Sequence, residues 1–425
     1  MHVLTELIRN DMKPALGVTE PGAIAFAVST ARKHIQGTVQ HVSLRLNSGM
    51  FKNAFTCGIP GSSKVGNYYA AALGAVAADP EKGLECLEGI TQEDEVMACQ
   101  MVDDGKITVD MSEISSRIFI EAKVTGENSE SSVIIRDAHT NIVEITENSR
   151  VVFSKESGEK VQQEGVHPIH RYTLEQMVQY VKTVPIEEIR FIDEAYELNW
   201  KLFEEGIGSP RTTYAPYLLA RNGGVIISED EQKTASLLCN AAIEARVIGL
   251  SRPAMSITGS GAHGIIATMP LYAAYQVGGY TREALLRATA LSYLLCMYIK
   301  EYSGKLSAFC GCAIAAGTGM ACGLVFLRGG DAEVMTRTIQ NMASSITGMI
   351  CDGGNQGCTM KGIVAVDAAY QSVEMAMQGV YIHSVHGING KTPEETMRNM
   401  GRIAVPGMVG TEKTIVEMLG EKQRS

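Results

Sequence analysis

The sequence is short of positive charge: 37 lysines and arginines stand against 47 aspartates and glutamates, so its 425 residues carry a formal net charge of −10. Proteins that bind nucleic acids need cations to neutralise phosphates, so this balance argues against a nucleic-acid partner and favours a small-molecule ligand. The N-terminus also lacks an apolar run followed by a small-residue cleavage site. We therefore expect no signal peptide and a cytoplasmic protein.

One long stretch lacks charge altogether. Residues 306–327 read LSAFCGCAIAAGTGMACGLVFL, and this run is long enough to cross a bilayer. Small residues make up much of it, and no second span or aromatic belt accompanies it. The stretch is therefore predicted to be a fully buried helix, and no membrane partner is expected.

The pattern of apolar residues changes along the chain. Residues 20–36 and 67–79 are predicted helices, with a half-buried strand at 41–47 between them. From 106 to 153, short alternating runs separated by Gly, Asn, Ser and Asp predict antiparallel strands or hairpins. From about residue 172, helical periodicity with acidic starts and glycine stops predicts a mainly helical segment. The order of these elements predicts an α+β fold.

Two domains are expected from this change of pattern. Residues 1–165 would form an α+β domain with antiparallel strands, whose N-terminal helix packs on the helical domain, and residues 166–425 would form the helical domain. The boundary is expected within the polar stretch at 155–170. The uncharged Ala- and Gly-rich helices suggest burial between subunits, and a symmetric homodimer is the expected oligomer.

Cysteines in a reducing compartment serve packing, metal binding or catalysis more than disulfides. Cys310 and Cys312 lie among small residues, where a cofactor can approach the backbone closely, whereas Cys322 is expected in the core. Thiolates are the preferred ligands of iron–sulfur clusters and of zinc. The ten cysteines are Cys57, Cys86, Cys99, Cys239, Cys296, Cys310, Cys312, Cys322, Cys351 and Cys358.

Cys351 and Cys358 flank a small polar loop in the segment GMICDGGNQGCTMKG. The glycines of this loop would let backbone amides turn toward a bound sulfide or anion. The spacing alone does not separate a ligand pair from two buried cysteines beside a helix start with Asp352 as its N-cap. Both interpretations stay open at this point.

A second glycine-rich segment, GSGAHG at 259–264, formally fits the dinucleotide-binding pattern. That pattern requires a βαβ unit and an acidic residue about twenty positions further on, and neither is predicted here. We instead expect a loop that binds a small carboxylate or phosphate, with Ser260 and Gly261 as candidate binding residues. His263 is its only titratable side chain, and a lone loop histidine is more often solvated or structural than a base.

Five segments together resemble the L-cysteine desulfidase family, which is related to the α chain of iron–sulfur L-serine dehydratases. The resemblance covers essentially the whole chain. It implies a [4Fe–4S] cluster held by three cysteines, with one iron open to substrate, and β-elimination from an amino acid to give sulfide or water, then pyruvate and ammonia. The segments are ALGVTEPGAIAFA, DAHTNIVEI, PAMSITGSGAHGIIATMP, KLSAFCGCAIAAG and SITGMICDGGNQGCTMKG.

The resemblance also implies roles for single residues. Cys351 and Cys358 match the close ligand pair, and the third ligand would be Cys310 or Cys312, with Cys310 slightly favoured by the preceding LSA. Lys361 would offer charge to the substrate carboxylate or to the cluster, although a salt-bridged surface lysine is an equal interpretation.

The substrate pocket implied by the resemblance includes Thr19 and Glu20, residues that an N-cap and a first helical turn explain equally well. The remaining candidates for substrate binding come from other matching segments. They are Asn47, Lys52, Asn53, His139 and Asn141.

The chain departs from the family pattern at two places on the substrate side. Val18 stands where the family has the cysteine of LGCTEP, and Ala262 and His263 replace the amide pair of GSGNQG. Valine cannot accept a proton, whereas an imidazole with a pKa near 6.5 can act as a base. With these two departures, the resemblance implies a cluster-dependent lyase for L-cysteine or a related small amino acid, with His263 as the candidate base. The alternatives are a serine or hydroxy-acid dehydratase and a non-catalytic paralogue that binds a cluster or anion.

Overall fold

The computed structural model describes residues 2–155, 166–304 and 306–424, and these form an α+β fold, as predicted. The helices before residue 156 are α1 (Val3–Asp11), α2 (Thr19–Lys33), α3 (Ser48–Asn53), α4 (Gly66–Val76) and α5 (Gln92–Asp103). The strands in the same part are β1 (Lys13–Leu16), β2 (Val39–Leu46), β3 (Ile107–Met111), β4 (Phe119–Gly126), β5 (Glu130–Arg136), β6 (Ile142–Glu147) and β7 (Arg150–Ser154).

The part after residue 165 is mainly helical, with a single short strand, β8 (Pro253–Ser256), among its described residues. Its helices are α6 (Leu174–Thr183), α7 (Ile186–Ile189), α8 (Asp193–Gly208), α9 (Tyr214–Arg221), α10 (Glu231–Val247), α11 (Gly261–Gly278), α12 (Arg282–Ser303), α13 (Gly317–Leu327), α14 (Ala332–Ile346), α15 (Gly357–Met377), α16 (Pro393–Arg402) and α17 (Val409–Arg424).

Six strands form one sheet in the order β3-β2-β4-β5-β6-β7. The pairs from β2 through β7 are antiparallel, as predicted, but β3 runs parallel to β2. The antiparallel prediction was wrong for β3 because helices α3 to α5 carry the chain back to the same end of the sheet before β3 begins. Val42, Leu44, Ile120 and Val124 are buried on the face that helix α2 covers.

The two ends of the chain connect the sheet region to the helical region. Strand β1 pairs with β8 in antiparallel fashion, and α1 contacts α12. Helix α17 returns from the C-terminal end to pack on α3. Residues 156–165, where the domain boundary was expected, lie outside the described residues, and the division into two domains stays a prediction.

The uncharged stretch at 306–327 is not one continuous helix. Residues 306–310 are non-helical, Cys312–Ala316 form a π-helical turn, and α13 follows. The prediction of a single helix was wrong because Phe309 forms a β-bridge to Ile350, which keeps the first residues extended. Cys322 is fully buried, as expected. Among the described residues, no helix has the length and apolarity needed to span a membrane.

Helix α11 packs directly on strand β8 because Gly264 has no side chain. A Cβ added to Gly264 would lie 1.8 Å from the carbonyl oxygen of Met255. This contact fixes the turn at 257–260, which joins the strand to the helix.

We expect Gly264→Ala to lower the free energy of unfolding by about 3 kcal/mol, because the clash is with backbone and rotation of a side chain cannot relieve it. Gly420→Ala in α17 is the matched control, since open space surrounds Gly420. There alanine should stabilise by up to about 1 kcal/mol through its higher helix propensity. Urea denaturation measures both variants, and equal effects would contradict the close packing at Gly264.

Candidate functional site

A cavity of about 290 Å³ is lined by residues from both the sheet region and the helical region. Val18 and Ala262, two of the positions that depart from the family pattern, line this cavity. It also brings together nine of the residues predicted from the sequence. They are Thr19, Glu20, Asn53, His139, Ser260, His263, Cys312, Cys351 and Cys358.

The two cysteine segments meet through backbone hydrogen bonds. The amide of Cys310 donates to the carbonyl of Met349 at 3.1 Å, and the amide of Cys351 donates to the carbonyl of Ala308 at 2.6 Å. These bonds flank the bridge between residues 309 and 350. Two segments distant in sequence are thereby held side by side at the cavity.

Three thiols face the cavity, those of Cys312, Cys351 and Cys358. Cys310 is buried outside the set of lining residues, and a hydrogen bond with the Cys312 thiol, together with burial, raises the pKa of Cys310. Burial, reinforced by the nearby Cys351, raises the pKa of Cys358 to about 11. These two thiols are therefore protonated near neutral pH, and a metal would have to displace their protons.

The glycine-rich loop is a strand-to-helix turn between β8 and α11. Thr258 adopts a positive φ of 53°, an uncommon conformation for a β-branched residue. Its amide donates to Asp11 Oδ2 at 2.5 Å, and the backbones of Ile257 and Ser260 are hydrogen-bonded to each other. Because β8 pairs in antiparallel fashion with β1, the loop does not belong to a βαβ dinucleotide site.

His263 lies in the first turn of α11 and is 5% exposed. Its Nδ1 is 2.5 Å from Thr258 Oγ1, which itself donates to the carbonyl of Ile257 at 2.7 Å. Thr258 therefore accepts from a protonated Nδ1, and Nε2 carries the lone pair. Burial, with the charges of Lys300 and Arg246, lowers the pKa of His263 well below its usual value, so the ring is neutral at pH 7.

Glu20 is a buried carboxylate in the first turn of α2. Asn53 Nδ2 donates to Glu20 Oε1 at 3.0 Å, and His139 Nε2 lies 3.8 Å from the same oxygen. Burial alone would raise the pKa of Glu20, but His139, Asn53 and Arg246 together lower this pKa to about 2. The side chain is therefore ionised at neutral pH.

With this geometry in place, comparison with known proteins identifies the family. Residues 81–417 match the family model described as the serine dehydratase alpha chain. The chain belongs to the serine dehydratase alpha chain family. The relationship to serine dehydratase α chains predicted from the sequence is thereby confirmed.

Relatives in this family match the chain from end to end. A UPF0597 protein of Clostridium botulinum strain Langeland is 41% identical over 435 residues, which cover 100% of this chain and 99% of the relative. A UPF0597 protein of Caldanaerobacter subterraneus subsp. tengcongensis is 36% identical over 422 residues, with 99% of each covered. One from Methanocella arvoryzae is 33% identical over 418 residues, with 98% of each covered.

The serine dehydratase α family raises the question of whether the three thiols fit an iron–sulfur cluster. Within residues 2–155, 166–304 and 306–424, no group of three or more His, Cys, Asp or Glu side chains is arranged to hold a single metal ion. A cubane cluster places each thiolate on a different iron, so its ligands need not meet at one point. In number and chemistry, the thiols of Cys312, Cys351 and Cys358 fit the three cysteine ligands of a [4Fe–4S] cluster.

Asp352 and Lys361 form an ion pair beside the cysteine loop. Asp352 does not cap a helix, contrary to one of the two open interpretations, because α15 begins only at Gly357, whose amide donates to Asn355 Oδ1 at 2.7 Å. Burial alone would lower the pKa of Lys361, but the contact with Asp352 and the charge of Cys358 raise it. Lys361 lies outside the cavity-lining residues, and its catalytic role stays a prediction.

Lys52 is only 1% exposed and also lies outside the cavity lining. Its ammonium group donates to the carbonyl oxygens of Ser307 at 3.1 Å and Cys351 at 2.9 Å. It forms a buried ion pair with Glu412 of α17 at 2.7 Å. Lys52 thus fixes both cysteine segments to the C-terminal helix.

Three further candidates lie away from the cavity lining. Asn47 is buried, donates to the carbonyl of Ser115 at 2.8 Å and accepts from the amide of Phe119 at 3.0 Å. Asn141 donates to the carbonyl of Arg136 at 2.9 Å in the turn between β5 and β6. Gly261 begins α11 beside Arg246. Their roles in substrate binding stay predictions.

Sequence reasoning missed two buried cations that line the cavity, Arg246 at the end of α10 and Lys300 in α12. Lys300 donates to the carbonyl of Gly304 at 2.7 Å, and burial lowers its pKa. The signal in the sequence was a cation among apolar helical neighbours, in AIEARVIG and LLCMYIKEY. Such a residue must either pair internally or face a polar cavity.

We expect Lys52→Met to lower the free energy of unfolding by about 3–5 kcal/mol, because the variant leaves the Glu412 carboxylate buried without its cation. Lys33→Met is the matched control, since the ion pair between Lys33 and Glu81 is solvent-exposed. Its loss should cost less than about 1 kcal/mol. Denaturant unfolding compares the two variants, and a Lys52→Met effect as small as that of the control would refute the role of Lys52 as an anchor.

Proposed function

We propose that the protein is an iron–sulfur-dependent β-eliminating lyase acting on L-cysteine or a related small amino acid. In this reaction a base removes the Cα proton and the Cβ–S bond breaks, releasing sulfide. The enamine that forms becomes an imine, which water hydrolyses to pyruvate and ammonia. The family match supports a dehydratase-like enzyme, and the choice of amino acid is our proposal.

The observation that carries this proposal is that three thiols and a neutral buried imidazole line the same cavity. Cys312, Cys351 and Cys358 offer the ligand set of a cluster with one open iron, and His263 lines the cavity with them. A small amino acid fits within about 290 Å³. The sequence slightly favoured Cys310 as the third ligand. We propose Cys312 in its place, because Cys312 lines the cavity and Cys310 does not.

A bound cluster would supply a Lewis acid that polarises the leaving group or the carboxylate. His263 is the candidate base, because its Nδ1 proton is held by Thr258 and its Nε2 lone pair is left to accept a proton. Val18 cannot take that role. Burial, together with the cations Lys300 and Arg246, lowers the pKa of His263 in the free protein. A bound substrate carboxylate would offset their charge and make His263 a stronger base.

Two other functions each have one supporting observation. The match to the serine dehydratase alpha chain favours release of water from serine or a hydroxy acid. Val18, buried in the cavity where the family cysteine stands, favours a non-catalytic protein that binds a cluster or an anion. Offering L-cysteine and L-serine separately distinguishes the proposed desulfidase from a dehydratase, since only the desulfidase releases sulfide. Absence of turnover with a full cluster would favour the non-catalytic protein.

Cluster binding is tested by anaerobic reconstitution with iron and sulfide. Wild-type protein should retain about four irons per chain, the composition of a cubane cluster. Cys351→Ala, Cys358→Ala and Cys312→Ala should each lose iron and all lyase activity, because each removes one ligand. Cys322→Ala is the matched control, since Cys322 is a buried core cysteine away from the cavity. If the control loses as much iron as the three variants, or wild type binds none, the assignment is wrong.

The base assignment is tested separately with His263→Asn, whose amide can still donate to Thr258. This variant should keep wild-type iron content but lose at least about 100-fold in kcat, within the usual contribution of general base catalysis. Pyruvate and ammonia formation measure the rate, and iron analysis reports the cluster. Turnover that remains at the wild-type level would remove His263 as the base.

A further inference from the structure

Arg246 is a buried cation of the cavity to which the proposed lyase chemistry gives no direct role. It lies in the last turn of α10, is 5% exposed and lines the cavity. Among the residues that the structure describes, its Nε has no hydrogen-bond partner. Burial of a guanidinium donor without a partner is costly, so an anionic ligand that enters the cavity would recover this cost.

The N-terminus of α11 lies against the same guanidinium. A Cβ added to Gly261 would lie 2.7 Å from Arg246 Nε, so glycine at this position lets the arginine reach the first turn of the helix. Helix α11 has 18 residues, and the Ser260 side chain forms no capping hydrogen bond. The first-turn amides and the positive end of the helix dipole therefore add to the attraction for an anion.

A second set of polar residues, around Glu20, lines the cavity and carries negative charge. Glu20 is ionised, and Asn53 Oδ1 beside it has no hydrogen-bond partner among the described residues. The Glu20 carboxylate and the Asn53 amide oxygen are acceptors, so together they can bind the N–H donors of an ammonium group.

We propose that Arg246 and the N-terminus of α11 bind the α-carboxylate of the substrate, and that Glu20 and Asn53 bind its α-ammonium group. This assignment rests on the proposed function, since it takes the substrate to be an amino acid. It names Arg246 as a substrate-binding residue. The two subsites fix the amino acid at both charged ends and leave its β-substituent free to face the thiols.

Binding at the two subsites can be tested separately with three ligands. These ligands have no β leaving group and therefore do not react. L-Alanine carries both charged groups, L-alaninamide lacks the carboxylate, and propionate lacks the ammonium. Isothermal titration of the anaerobically reconstituted protein measures their affinities without turnover. For wild type we expect L-alanine to bind about 10- to 100-fold more tightly than either analogue, the usual value of a charged hydrogen-bonded contact.

Arg246→Gln should weaken L-alanine binding by about 10- to 100-fold and leave L-alaninamide binding unchanged, because the amide has no carboxylate for Arg246 to bind. Arg246→Lys keeps the charge without the planar fork, so its L-alanine affinity should be intermediate. Glu20→Gln should weaken L-alanine binding but leave propionate binding unchanged. A purely structural role would instead weaken all ligands together, and that outcome would overturn the proposal.

Turnover of L-cysteine and L-serine by wild type separates this proposal from the function on which it rests. If wild type is a lyase but Arg246→Gln keeps full affinity for L-alanine, the carboxylate assignment is wrong and the lyase stands. If wild type binds none of the three ligands and turns over neither amino acid, both are wrong.

Discussion

The cavity depends on the buried ammonium group of Lys52. This group binds the carbonyl oxygens of Ser307 and Cys351 and pairs with Glu412. Backbone hydrogen bonds also join the two cysteine segments, and Lys52 adds a buried cation that binds a carbonyl oxygen of each. Helix α17, which supplies Glu412, therefore helps to set where the thiols lie, although it is far from them in sequence.

The charges around the cavity influence the protonation states of its titratable side chains and the kind of ligand that it can bind. Burial, with the charges of Lys300 and Arg246, lowers the pKa of His263 and keeps the ring neutral, and the Thr258 hydroxyl fixes which nitrogen of the ring carries the proton. Glu20 stays ionised because His139 and Asn53 offset the cost of its burial. A dipolar ligand with one anionic and one cationic end matches this distribution, whereas a simple anion would satisfy only the Arg246 side.

Local patterns predicted the parts of the structure that local interactions determine. The α+β fold, most of the strands and the helical second part follow from periodicity, and three cysteines of the two cysteine motifs line one cavity. The parallel pairing of β3 and the non-helical residues 306–310 depend on partners distant in sequence, so periodicity could not show them. The roles of Lys52 and Arg246 likewise depend on contacts with distant helices, α17 and α11.

The central claim is that one cavity holds both an iron–sulfur cluster and the substrate. Anomalous X-ray scattering at the iron absorption edge, from crystals of the anaerobically reconstituted protein, tests it most directly. The account predicts an iron peak inside the cavity in front of Cys312, Cys351 and Cys358, with Cys310 unligated. Iron bound elsewhere, or an iron-free cavity whose three thiols remain protonated, would contradict it.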